Sequence, residues 1–279
     1  MISLHSHSGT YCAHAKGTLE SVVKEAIKKQ FKVYGLSEHQ PRRNHLDLYP
    51  DEANLTTDLL SRLFDDYYTE ACRLKLIYKN EITILIGFET EYILRENNDP
   101  ISEIRNLTNT YKFDYIVGSV HHVNGMMIDY DLDSFNRAES ATLDLFNVYF
   151  DHQYDLLLNV KPTVVGHFDL CRMFRPEQEL TSENWDRINR NIDLIKEYGG
   201  LVELNSRAFK KGLKWIYPFK DILQVMVAKD LKFTISDDSH GPNDVGMFYP
   251  QLFDCLKEIG ITRVYYPEGE SLSKIDIKQ

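Results

Sequence analysis

Cysteine is scarce in this sequence: 279 residues carry four, Cys12, Cys72, Cys171 and Cys255, spaced far apart. That excludes a disulfide scaffold, which is dense in cysteine, and a zinc knuckle, which needs close pairs. Reduced and mostly buried thiols are expected. No apolar run approaches the roughly 18–20 residues of a membrane span, and the chain opens on polar His5-Ser6-His7-Ser8 rather than on a charged and then apolar signal segment. A cytoplasmic location without a membrane partner is the default expectation. Basic residues are outnumbered, 32 Lys and Arg against 42 Asp and Glu. The formal net charge of −10 argues against nucleic acid as a partner, because backbone binding needs a basic stripe. An anionic partner must therefore be small and must meet local positive charge. Fixed-length repeats and low-complexity tracts are absent as well.

What is present is the profile of a soluble globular protein, 43% hydrophobic and 27% charged. Short segments rich in Val, Ile, Tyr and Phe alternate with stretches whose apolar residues recur at helical spacing, the pattern of repeated βα units. Strands are predicted at 2–7, 32–37, 82–88, 115–120, 163–167, 200–204, 232–236 and 263–266. The clearest helices are predicted at 19–29, after a Thr18 N-cap, and at 55–77, 143–158, 185–197 and 219–228. Length favours one domain over 1–279. The polar, Pro-containing stretch 42–52 is expected to be a surface loop over the active face.

Seven of the predicted strands end in or run into His, Asp, Glu or Asn: His5 and His7, Glu38 and His39, Glu89, His121, His167 and Asp169, Asn205, Asp238 and His240. In a barrel the C-terminal strand ends converge on one face, and that regularity favours a barrel over an open sheet. His5 and His7, two apart on a strand, point to the same side and can face one metal. His14 can return to them from the first loop. Glu89 can bridge two cations. Of adjacent His121 and His122, alternation lets only one point inward, and His121 is chosen. The mixture of imidazole and carboxylate suits first-row metals such as Zn²⁺, Fe²⁺ or Mn²⁺, and no thiolate is required. Seven of the ten histidines sit within or just after predicted strand ends, which scattered surface histidines would not do.

In these residues the chain resembles the polymerase and histidinol phosphatase (PHP) family. The four family motifs look like His5-Ser6-His7, Ser37-Glu38-His39, Ser119-Val120-His121 and Ser236-Asp237-Asp238-Ser239-His240, with Gly87-Phe88-Glu89 and Gly166-His167-Phe168-Asp169 as further ligand segments. Stretches 117–125, 161–170 and 236–241 are most similar to the fungal-type histidinol phosphatases. The resemblance implies an α/β fold, a distorted (β/α)7 barrel, with two or three divalent ions. One ion would use His5, His7, Glu89 and Asp238, a second Glu89, His121 and His167, and a third His14, His39 and His240. It also implies hydrolysis of a small phosphate ester, L-histidinol phosphate, in histidine biosynthesis. Asp238, His240 and His39 are the catalytic candidates. Where the family has Arg-Lys-Gly after Glu-Leu-Asn, this chain has Lys210-Lys211-Gly212, with an arginine displaced to Arg207. Arg172, Arg207, Lys210 and, more weakly, Arg42 are the candidate phosphate-binding cations, and Glu91 and Asp169 are candidates to orient ligands. The alternatives are a PHP phosphoesterase for another small ester or a nucleotide end, and a non-catalytic metal-binding scaffold. Oligomeric state is open.

Overall fold

The structure, a computed structural model, describes residues 1–96 and 98–277. Its strands are short: β1 (Ile2–Ser3), β2 (Ser6–His7), β3 (Val33–Leu36), β4 (Thr83–Ile86), β5 (Val117–Gly118), β6 (His122–Val123), β7 (Met126–Met127), β8 (Val164–Val165), β9 (Leu201–Asn205), β10 (Lys232–Ser236), β11 (Ser239–His240), β12 (Arg263–Glu268) and β13 (Ser271–Asp276). Parallel pairing runs β1-β3-β4 in one sheet and β5-β8-β9-β10 in another. Two links close the ring. Glu89, just past β4, bridges to Val117 in β5, and β11 pairs in parallel with β2. Counting β1 with β2 and β10 with β11 as one stave each, seven staves surround the axis, a distorted (β/α)7 barrel. The predicted strand 2–7 is interrupted at Leu4 and His5, and that interruption is part of the distortion.

The strand predicted at 263–266 is real but is not a stave. Its residues form β12, which pairs antiparallel with β13, because β11 has already met β2 and the ring has no open edge left for it. The remaining pair, β6 and β7, is a hairpin after β5.

Nine helices are described: α1 (Leu19–Lys28), α2 (Thr57–Ile77), α3 (Pro100–Thr110), α4 (Leu132–Ala141), α5 (Leu145–Val160), α6 (Ser182–Tyr198), α7 (Arg207–Lys210), α8 (Lys220–Ala228) and α9 (Tyr249–Ile259). α1 shows the logic of the others. Thr18 accepts a hydrogen bond from the Ser21 N–H and starts it, and Leu19, Val22, Val23 and Ala26 form one buried stripe at helical spacing. Together with Ile2, Leu4, Val33 and Leu36 from the strands, these residues belong to the continuous core. Each such aliphatic side chain contributes about 1.5–3 kcal/mol, so Val22→Asp would unseat the helix. None of the described helices is long and apolar enough to cross a membrane.

Candidate metal centre

Each stave ends in a polar residue, and the barrel brings these ends together around one carboxylate. Glu89 is 1% exposed. Its Oε1 lies 3.1 Å from His5 Nε2, 3.2 Å from His121 Nε2 and 3.0 Å from His167 Nε2, while Oε2 lies 3.4 Å from His7 Nε2 and 3.0 Å from His39 Nδ1. The two oxygens thus sort five imidazoles into two sets. Asp238 closes the first side, its Oδ1 3.5 Å from His7 Nε2 and 3.8 Å from His5 Nε2. At the mouth, His240 Nε2 is 3.1 Å from Nε2 of the exposed His14. Asp238 has a left-handed backbone, φ 44°, a conformation that ordinarily disfavours a residue with a Cβ. The neighbouring Asp237 carboxylate holds the turn by accepting from Ser3 Oγ, Ser239 N and Gly246 N.

Buried carboxylates behind the cluster fix the imidazoles. Glu203 of β9 accepts from His5 Nδ1 at 2.7 Å and from the His167 backbone N–H at 2.6 Å. With Nδ1 engaged by Glu203, His5 turns Nε2 toward the cluster. Glu91 lies 2.8 Å from His39 Nδ1 and 3.4 Å from His121 Nδ1, and Arg42 holds it in turn, 3.0 Å away. Glu38 accepts from the N–H and Oγ of Ser8 and so anchors the loop after β2. Asp169, the other candidate to orient ligands, instead accepts from the Phe219 N–H.

The electrostatics follow from this packing. Burial alone would lower His5, His39 and His121, but the carboxylates outweigh it. Glu89, Asp238 and Glu203 hold His5 well above the ordinary imidazole range, and Glu89 and Glu91 do the same for His39 and bring His121 up to about 10. Burial alone would raise Glu89, yet His5, His121 and His39 hold it well below the usual carboxylate range. The cluster is built to hold positive charge.

A cavity of about 270 Å³ opens over the cluster. His14, His39, Glu89, His121, His167, Asp238 and His240 line it together with Arg207 and Lys211, an acidic and aromatic wall of Tyr49, Asp51, Asp129 and Tyr130, and the apolar groups of Leu170, Met173 and Tyr217. His5 and His7 are fully buried and lie outside this lining. Of the four candidate cations, Arg207 alone lines the cavity. The other three lie outside this lining, each paired with a carboxylate. Arg42 is 3% exposed, wedged between Glu52 and Glu91. Arg172 bonds Asp221 at 2.8 Å and lies over the Phe219 ring, facing a separate groove. Lys210 is exposed and pairs with Asp244 at 2.6 Å. The loop 42–52 is likewise not merely a polar surface loop: Arg42, Asp47, Tyr49 and Glu52 are buried in it.

Lys211, Tyr49, Asp129 and Glu203 were not singled out in the sequence. Glu203 had a signal, since it precedes Asn205 by two on a strand and shares its inward side. His122 is buried beside the Tyr49 ring, and burial pushes its imidazole down to about 4.

The donor set fits divalent cations. His5 Nε2, both ring nitrogens of His7 and His39, and Nδ1 of His121 and His167 are buried with no hydrogen-bond partner among the described residues, an arrangement that costs about 1–3 kcal/mol per group unless a cation meets it. Triplets of ligand atoms such as His5, His7 and Asp238, or His5, Glu89 and His167, converge within 4.8 Å.

Comparison with known proteins points the same way. A family model described as the PHP domain matches residues 3–207. A protein of Schizosaccharomyces pombe named "Probable histidinol-phosphatase" is 44% identical over 270 residues, covering 94% of this chain and 87% of that one. The histidinol-phosphatase of Saccharomyces cerevisiae is 32% identical over 310 residues, with 93% and 89% covered. Among solved structures, histidinol phosphate phosphatase of Lactococcus lactis, complexed with zinc, L-histidinol and phosphate, superposes with a TM-score of 0.72 at 17% identity over 98% of each chain, a likeness of fold.

Proposed function

The chain belongs to the PHP domain family, and from that membership we propose that it is a metal-dependent phosphomonoesterase that hydrolyses L-histidinol phosphate to L-histidinol and phosphate, a step of histidine biosynthesis. The observation that carries the proposal is Glu89, one buried carboxylate whose two oxygens serve five imidazoles beside a cavity that also holds Arg207. A structural site would need neither a shared carboxylate nor an open cavity.

The residues that would hold the ions are His5, His7, Glu89 and Asp238 for one, Glu89, His121 and His167 for a second, and His14, His39 and His240 for a third. Bound there, divalent ions supply Lewis-acid charge to phosphoryl oxygens and acidify water. Arg207, whose Nη1 donates to the Asp238 carbonyl at 2.9 Å, keeps further donors for the phosphate, and Lys211 adds charge at the rim. Asp238 is held well below the usual carboxylate range: burial alone would raise it, but His5, His7 and Arg207 prevail. Ionised, it accepts the proton of the attacking water at a carboxylate oxygen. Burial and Arg207 hold the His240 imidazole well below the ordinary range, which suits a neutral nitrogen ligand. On the opposite chemistry, Asp129, which accepts from Tyr49 OH at 3.2 Å, meets the cationic end of histidinol, and Leu170, Met173 and Tyr217 take its ring.

The test is phosphate release by the purified protein supplied with Mn²⁺ or Zn²⁺, comparing L-histidinol phosphate with sugar phosphates, nucleotides and a chromogenic ester. Histidinol phosphate is expected to lead by at least ~100-fold in kcat/KM, and His7→Ala or Asp238→Ala to lower turnover by about 10²–10³-fold or more. Even turnover across the panel would remove the substrate assignment and leave a metallophosphatase. No turnover at full metal loading would remove both.

A further inference from the structure

The first loop carries a donor that the ligand sets above leave out. Cys12 is 4% exposed, and its Sγ lies 3.3 Å from Nε2 and 3.5 Å from Nδ1 of His14. That sulfur and one nitrogen each from His14, His39 and His240 all fall within 4.8 Å of one another. The loop is held in this shape by the Cys12 N–H donating to Ser8 O at 2.9 Å and by the Ala15 N–H donating to Cys12 O.

A second observation concerns His240, whose side chain is 9% exposed. Its Nδ1 is 3.0 Å from the Asp238 carbonyl oxygen. A carbonyl only accepts, so Nδ1 carries the proton and Nε2 presents a lone pair. That lone pair is aimed at His14 Nε2, 3.1 Å away, inside the group that contains the thiol. Nε2 of His39 is also buried, with no hydrogen-bond partner among the described residues.

The spacings fit donors that share one ion. Two donors on one tetrahedral zinc, with Zn–S about 2.3 Å and Zn–N about 2.0–2.1 Å, sit roughly 3.5 Å apart for sulfur and nitrogen and roughly 3.3 Å apart for two nitrogens. The observed 3.3 Å from Cys12 Sγ to His14 Nε2 and 3.1 Å between the Nε2 atoms of His14 and His240 lie near these figures. A thiol-to-imidazole hydrogen bond would account for Cys12 and one nitrogen of His14 only, and leaves the buried Nε2 of His39 without a partner among the described residues.

We propose that Cys12 is, as its thiolate, the fourth protein ligand of the ion held by His14, His39 and His240. This rests on the assignment of those three histidines to one ion. Four protein donors close a tetrahedron, so this ion would secure the first loop and charge the site, while the ions on Glu89 keep positions open for substrate. A thiolate also biases this position towards Zn²⁺ or Fe²⁺ and against Mn²⁺.

The test exchanges the metal of the full-length protein for Co²⁺ and follows the near-ultraviolet thiolate-to-cobalt charge-transfer band, with bound metal counted by elemental analysis. The band is expected in the unaltered protein and in Cys72→Ser, whose cysteine is exposed, and is expected to vanish in Cys12→Ser. X-ray absorption of the zinc-loaded unaltered protein is expected to show a sulfur shell at about 2.3 Å, a result that does not depend on any variant folding. Three bound ions with neither the band nor the sulfur shell would overturn the role of Cys12 and spare the histidine assignment, as would a band that survives in Cys12→Ser. Saturation at two ions, with no band, would overturn both.

Discussion

Two segments border the histidine cluster, 40–52 and 205–212, and each brings an arginine to it in a different way. Arg42 is 3% exposed, with Glu52 at 2.9 Å and Glu91 at 3.0 Å, and its guanidinium lies over the Tyr49 ring. Arg207 is 15% exposed, donates to one backbone carbonyl and reaches Asp244 only at 3.4 Å. A guanidinium has five N–H donors. Two carboxylates engage Nη1 and Nη2 of Arg42 inside the protein and meet its charge, whereas Arg207 keeps donors facing the cavity. The difference teaches that proximity to a site does not make a cation a ligand for substrate. A cation with its charge already met orients other residues, and one with spare donors binds.

The comparison breaks most visibly at Arg42. Arg42→Ala leaves Glu52 and Glu91 buried without their partner, and chemical denaturation should register a loss of about 3–5 kcal/mol. Because Glu91 also faces His39 and His121, metal affinity should fall with it. Arg207→Ala should do the reverse. The fold loses one hydrogen bond to a neutral acceptor and a longer one to Asp244, about 1–2 kcal/mol together, while kcat/KM for histidinol phosphate falls by roughly 10- to 100-fold, the range of a charge-assisted bond worth about 1.5–3 kcal/mol. Equal losses of stability in the two variants would erase the distinction. Lys210→Ala is the weaker control in the second segment. Lys210 is itself 46% exposed, so stability should change by about 0–1 kcal/mol and turnover hardly at all.

How far the sequence carries these distinctions depends on whether periodicity is involved. His5, His7, Glu89, His121, His167 and Asp238 were legible because strand alternation and barrel convergence both act on them, and the same alternation of strand and helix marks eight strands, of which seven become staves. The roles of Arg42 and Arg207 were not legible. Arg42 is decided by Glu91, 49 residues away, and no repeat of 2 or 3.6 residues links a loop side chain to such a partner. Tyr49 and Asp129 reach the cavity from irregular segments for the same reason. β12 shows the converse limit. An apolar, aromatic run looks the same whether its partner is a stave or a hairpin strand, and only the closure of β11 on β2 tells them apart.

The smallest expected effect sharpens the contrast from the outer side of the first segment. Gln40 donates through Nε2 to Glu103 at 3.0 Å, and burial raises the Glu103 carboxyl to about 7, Arg43 opposing and Asp47 reinforcing the rise. The folded protein therefore holds the Glu103 proton more tightly than the unfolded chain does. The stability contributed by that proton is present in full below the unfolded value near 4.5 and is lost as pH rises through about 7. Glu103→Gln keeps the hydrogen-bonding shape and has no proton to lose. Relative to the unaltered protein it should gain stability between pH 5 and pH 8, in urea melts at fixed metal concentration, with little change below pH 4.5. A gain that is the same at both pH values would mean that Glu103 is ionised throughout, and that the first segment is buttressed by a charge rather than by a neutral carboxyl.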